Sequence, residues 1–163
     1  MSGFDVSSWH DFFLASSSVG AALSGLVFVA LSINLREILR YEGLVERAAE
    51  ALILLLSIVF VGLVGIAPTT SATLLGVELM LVGLVTTAAV TRIIVQHRPE
   101  KATRGQLAFR MTVAEVGTIP IFIAGFSYAT GVGLGLGWLL VATVSALAGG
   151  VIGAWVLLIE IFR

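Results

Sequence analysis

Residues 15–35 read ASSSVGAALSGLVFVALSINL, and no charge occurs between Asp11 and Arg36. As a helix the quoted stretch is about 31 Å long, against a bilayer hydrocarbon core of about 30 Å. Backbone polar groups in lipid must be bonded within their own segment or within a closed barrel. The stretch shows no two-residue alternation, so it reads as a spanning helix and not as a barrel strand. What surrounds it then decides whether the whole chain is membrane-embedded.

The chain has 163 residues, of which 58% are hydrophobic and 12% charged, against roughly 45–50% and 25% in soluble domains. So short a chain cannot hide that much apolar surface from water. Four more stretches have spanning length and composition. With the first at about 9–35, they fall at about 48–66, 72–95, 106–128 and 135–161. The fold class expected is an all-α bundle of five transmembrane helices, forming one domain over residues 1–163.

The connections alternate. REILRYEGLVERAAE and QHRPEKATRGQ are charged; APTTS and ATGVGLG are not. With five spans, Arg36, Arg40, Arg47, Arg92, Arg98, Lys101, Arg104, Arg110 and Arg163 all fall on one side. The positive-inside rule makes that side cytoplasmic, which leaves the N-terminus outside and the C-terminus inside. The N-terminus lacks the basic region of a cleavable signal, so the first run reads as a permanent span. Gly43 is the expected turn of a short cytoplasmic helical hairpin near residues 36–50. Its arginines 36, 40 and 47 are expected to pair with Glu37, Glu42, Glu46 and Glu50.

Charges inside spans are costly and point to function. Asp11 stands at the outer end of the first helix, beside Trp9 and His10, where it could equally be a polar helix start. Glu78 lies about 9 Å down the third helix and Glu115 about 13 Å into the fourth. Pro120 follows Glu115 and is expected to kink the helix, freeing the Val116 carbonyl. A carboxylate beside a freed carbonyl suits the handling of cations or protons; a protonated Glu115 clamping a neighbouring helix is the structural alternative. Any pathway lined by these groups favours cations.

The serine-rich stretch supports two readings. Ser16, Gly20 and Ser24 are four apart, as are Ser17, Ala21 and Gly25, and such small-residue rows let helices approach closely. Gly149 and Gly153 form a similar packing site in the fifth helix. Asp11, Ser18, Gly25 and Ser32 recur at seven, with Ser17 and Ser24 beside that line, so Asp11, Ser17, Ser18, Ser24 and Ser32 are the candidate pathway residues, joined by Glu78 and Glu115. GVGLGLG, residues 131–137, reads as a flexible outer turn with a frayed helix start. It lacks the lysine of a phosphate-binding loop and the strand of a dinucleotide fold.

Catalysis finds little support. The chain has no cysteine, and its histidines, His10 and His97, fall on opposite sides. His97 with Glu100 is too little for a metal site. No cofactor, metal or nucleic acid is expected as a partner.

WHDFF followed by AALSGLVFVALSINLREIL resembles a group of small multi-spanning bacterial membrane proteins. Their mark is a W-x-x-F start before A-A-L-[ST]-G-L-[IV]-F-V-A-x-S-[IV]-N. The resemblance covers the first helix and the start of the second. It implies a bacterial cytoplasmic-membrane protein, and some members bear names suggesting modulation of a membrane protease. It assigns no catalytic residue. The functional expectation is a homo-oligomer that conducts cations along its first helix. The alternative is an accessory subunit binding another membrane protein. A proton-coupled transporter using Glu115 is weaker, since no inverted repeat is visible.

Overall fold

Apolar runs punctuated by glycine, proline and charge give helices with few irregular connections. The structure is a computed structural model that describes residues 5–41, 43–68, 71–96 and 104–161. Expectations about Glu42, His97, Arg98, Glu100, Lys101 and Arg163 fall outside the described residues.

Among the described residues six α-helices follow in order: α1 (His10–Ile33), α2 (Leu35–Ile38), α3 (Leu44–Ile66), α4 (Ala72–Gln96), α5 (Arg104–Thr130) and α6 (Trp138–Ile161). All but the one-turn α2 are long and apolar enough to cross a membrane. A short 3-10 turn, Val6–Trp9, leads into α1; Asp5 caps it by accepting a bond from the Ser7 N–H. A second 3-10 turn, Gly135–Gly137, leads into α6. The long first span does not run straight into the hairpin. It breaks at Asn34, whose side-chain amide donates back to the Ala30 carbonyl. The chain then turns at Gly43, which has φ +87° and so adopts the left-handed conformation that glycine accepts at no steric cost.

The five long helices alternate in direction. Gly62 of α3 faces Phe13 and Ser17 of α1, while Gly20 of α1 faces Leu55 and Val59 of α3. Gly76 of α4 faces Gly125 and Ala129 of α5, and Gly83 faces Phe122. Gly117 of α5 faces Ala146 of α6. Helices α3, α4, α5 and α6 pack as a ring, and α1 lies outside it against α3. Two consequences follow for charge. Every described arginine (Arg36, Arg40, Arg47, Arg92, Arg104 and Arg110) lies at one end, called here the basic end. The opposite, distal half carries Asp5, Asp11 and Glu78 and no Lys or Arg among the described residues.

In lipid the hydrophobic effect gives helices little reason to associate, so close van der Waals packing must do it. The α4–α5 contact shows how. A Cβ on Gly83 would lie 2.5 Å from the Phe122 N, and one on Gly125 would lie 2.5 Å from the Gly76 O. Those three glycines bring two backbones together. The distal core is larger and aromatic: Phe13, Leu75, Leu79, Ile121, Leu136 and Leu139 are all essentially solvent-free, with Trp9 and Trp138 packed against them. Outside the bundle, side chains such as Leu26, Phe60, Leu84, Phe126 and Trp155 are exposed, as lipid-facing groups should be.

Candidate functional site: the two faces of the first helix

One face of α1 is committed to the bundle. Phe13, Ser16, Ser17, Gly20 and Ser24 are its buried residues. The fit is tight: a Cβ on Gly62 would lie 2.5 Å from the Ser17 Cβ, and one on Gly65 2.4 Å from the Phe13 ring. The row Ser16–Gly20–Ser24 is therefore a seam against α3. The row Ser17–Ala21–Gly25 splits, since Ser17 is buried while Ala21 and Gly25 are exposed, with nothing within 4 Å of a Cβ placed on Gly25.

The other face is free. Asp11, Ala15, Ser18, Ala22, Gly25, Val29 and Ser32 are all exposed. Their spacing alternates four and three, the pattern that keeps one stripe on a helix facing a neighbour. At about 100° per residue, Ala22 points about 200° away from Gly20, so the stripe is opposite the α3 seam. Two of the sequence-predicted pathway serines, Ser18 and Ser32, stand on it with Asp11; Ser17 and Ser24 stand on the buried side. Asp11 lies in the first turn of α1, where the helix dipole favours a carboxylate.

The hydroxyl chemistry is uniform. Ser18 donates to the Leu14 O at 2.7 Å and Ser32 to the Phe28 O at 2.8 Å. Ser16, Ser17 and Ser24 likewise donate to carbonyls three or four residues back. A hydroxyl has one proton and two acceptor lone pairs. Once its proton is turned into the helix, an exposed serine offers its surroundings acceptors only.

The remaining predicted residues lie elsewhere. Glu78 is half-buried on α4, and its Oε2 is a buried oxygen with no hydrogen-bond partner; the Thr87 Oγ1 on the same helix is in the same condition. Glu115 is half-buried on α5, which continues as one helix through the buried Pro120. These carboxylates stand on members of the four-helix ring, not on the free stripe. Gly149 and Gly153 of α6 are packing positions: a Cβ on Gly149 would lie 2.6 Å from Val113, and one on Gly153 3.2 Å from Ala51. Among the described residues no three His, Asp or Glu side chains converge as metal ligands.

Sequence reasoning missed three features. The first is the α4–α5 glycine contact, whose signal was the seven-residue spacing of Gly76 and Gly83. The second is the partner of Glu50. It pairs across the bundle with Arg110 of α5, through the Nε at 3.3 Å and through the Nη2. Of the hairpin pairs, Arg40–Glu37 forms, at 3.1 Å and exposed. The third is the distal turn, which is built and not frayed. Gly131, Gly133 and Gly135 all have positive φ, and the Ser127 hydroxyl donates to the Val132 O while accepting from the Gly135 N–H at 2.8 Å.

The free stripe of α1 thus combines small residues, outward acceptors and a carboxylate along the length of one helix. Comparison with family models, with curated proteins and with solved structures finds no match to this chain, so the functional reading rests on that surface.

Proposed function

We propose that the protein is a homo-oligomeric, cation-conducting protein of the bacterial cytoplasmic membrane, with the free stripe of α1 facing the axis of the assembly. The N-terminus is outside and the C-terminus cytoplasmic, as the one-sided arginines favour. The observation that carries this reading is the stripe itself, which is exposed among the described residues and which runs the length of a spanning helix. Small side chains leave room between copies, and back-bonded hydroxyls offer oxygen lone pairs to a cation. Asp11, in a distal half whose charges are acidic, raises the local cation concentration at the outer mouth. Relative to the sequence expectation, the lining set narrows on α1 to Asp11, Ser18 and Ser32. Ser17 and Ser24 act through the α1–α3 seam, and Glu78 and Glu115 act, if on conduction, from the surrounding ring.

The chain has no cysteine, so an introduced thiol is unique. Ala22→Cys on the stripe is expected to form disulfide-linked dimers of this chain in membranes. Leu84→Cys, exposed on α4, is expected to form none. The purified oligomer in liposomes is expected to dissipate a potassium gradient, and Ser18→Leu to abolish that flux while the Ala22→Cys cross-link survives. A parent protein without flux under any gradient would falsify conduction. The same stripe also suits an accessory subunit docked on another membrane protein; cross-linking of Ala22→Cys to a different polypeptide, with no homodimer, would favour that reading.

A further inference from the structure

At the basic end, α3, α5 and α6 enclose a cavity of about 230 Å³ that the conduction reading does not use. The Glu50–Arg110 pair lines its polar part, together with Arg47 and Gln106, which have partners of their own. The rest of the lining is apolar and includes Leu54 and Val113. The Arg110 and Glu50 side chains are only 14% and 13% exposed. Glu50 turns both carboxylate oxygens to the Arg110 Nε and Nη2, so the pair is neutral and its acceptors are engaged. A guanidinium has five N–H groups, and a two-pronged contact of this kind uses two. Among the described residues nothing accepts from the Arg110 Nη1. The wall of a mostly apolar cavity thus carries hydrogen-bond donors without a net charge.

The level of this cavity in the membrane follows from the helix it is built on. Residues 51–66 of α3 are uncharged and span about 24 Å. Glu50, and the Arg110 that pairs with it, therefore sit at the edge of the hydrocarbon, which is about 30 Å thick. The mouth of the cavity is lateral. Helices α5 and α6 are close where Gly149 meets Val113. One turn nearer the basic end, Phe109 of α5 and Ile152 of α6 stand at the mouth, both apolar and both exposed. The cavity therefore gives onto lipid. At the hydrocarbon edge the oxygen acceptors that a glycerolipid carries are the carbonyls of its acyl esters; its phosphate lies farther out, and a neutral pair has no net charge to draw it inward. The volume is below the roughly 300 Å³ of the smallest ordinary ligand pockets, so it admits a segment of a lipid and not the whole molecule.

We infer that this cavity binds the acyl-ester segment of a membrane glycerolipid, with an ester carbonyl accepting from the free edge of the Arg110 guanidinium and the proximal acyl carbons against Leu54 and Val113. The site is independent of whether the protein conducts. An ester carbonyl supplies the acceptor that Arg110 lacks, and the chain attached to it supplies hydrocarbon for the apolar wall. Because the Glu50–Arg110 pair is neutral, the site reads the ester linkage and is indifferent to the headgroup.

Ester-linked and ether-linked lipids of the same headgroup and chain length differ in the carbonyl alone, and their masses are distinct. The full chain is equilibrated in mixed micelles with equal amounts of diester and diether phosphatidylcholine, and the lipid it retains is read by native mass spectrometry. The diester is expected to be retained about tenfold over the diether, the worth of one hydrogen bond from a charged donor. The same ratio is expected when both lipids are phosphatidylglycerols. The double variant Glu50→Leu/Arg110→Leu removes both charges together, a change that folded proteins commonly tolerate, and is expected to bring the ratio close to one. Ile152→Trp, at an exposed position of the mouth, is expected to lower the ratio with the pair intact. Equal retention of diester and diether by the parent overturns the site without recourse to any variant. A preference confined to one headgroup overturns the ester as the feature recognised, and a parent-like ratio in both variants overturns the location.

Discussion

Ser127 ties the distal turn to the end of α5. Its single hydroxyl donates to the Val132 O and accepts from the Gly135 N–H, so it satisfies two backbone groups of a turn that contains three left-handed glycines. A turn in that conformation cannot form a regular helical ladder, and its polar groups need partners from elsewhere. Ser127→Ala removes both bonds and leaves the Gly135 N–H, on a buried residue, without an acceptor. The expected loss is about 2 kcal/mol, in the range for an orphaned buried polar group. It is checked by the unfolding midpoint in detergent. Ser127→Thr keeps the hydroxyl and is expected to recover most of the loss. A midpoint unchanged in the alanine variant would show the clasp to be dispensable. The sequence did not reveal this residue because a lone serine near a helix end bonds its own helix in most settings, as Ser16, Ser18 and Ser24 do here. Its partners lie five and eight residues ahead, across glycines that carry no side-chain signal.

At the scale of elements, α1 has two faces made of nearly the same residues and used for opposite purposes. Ser16 and Gly20 are buried on the side that meets α3; Ser18 and Gly25 are exposed, and among the described residues nothing lies within 4 Å of a Cβ placed on Gly25. The ends of the long helices were legible from the sequence, because an apolar run flanked by charge or by proline has few other ways to satisfy its backbone in lipid. Which face of α1 turns inward was not legible. Small-residue rows at spacing four and a line at spacing seven both fit close packing, and only the shape of α3, with Gly62 and Gly65 set against Phe13 and Ser17, selects between them. The contrast predicts separable effects. Gly62→Ala forces a methyl against the Ser17 Cβ and the Phe13 O, and is expected to destabilise the folded chain by about 2 kcal/mol, as overpacking does. Gly25→Leu has open space around it and is expected to leave the unfolding midpoint within error. On the proposed assembly, it is also expected to abolish the Ala22→Cys cross-link. Loss of stability in the Gly25 variant, or its absence in the Gly62 variant, would show that α1 is rotated from the orientation described.

For the whole molecule, the charge pattern and the count of spans support each other. Five traverses in alternating direction put all described arginines at one end and the three-glycine turn at the other. An arginine is dragged across a membrane at high free-energy cost, so this asymmetry carries the orientation proposed above. Part of the candidate site was readable at this scale: acidic residues on the distal side, basic ones opposite. The Glu50–Arg110 pair was not, because it joins residues sixty apart in sequence and depends on α3 and α5 running parallel. Orientation can be measured directly with unique thiols on exposed residues of the two ends. Val132→Cys, on the distal turn, is expected to react with a membrane-impermeant maleimide in spheroplasts. Tyr41→Cys, in the hairpin, and Arg104→Cys, at the start of α5, are expected to react only after the membrane is permeabilised. Labelling of Tyr41→Cys in sealed spheroplasts would invert the protein. It would move Asp11 to the cytoplasmic side and remove the argument that the acidic distal half gathers cations from outside. Labelling of Val132→Cys and Tyr41→Cys on the same side would break the alternation itself, and with it the five-span topology.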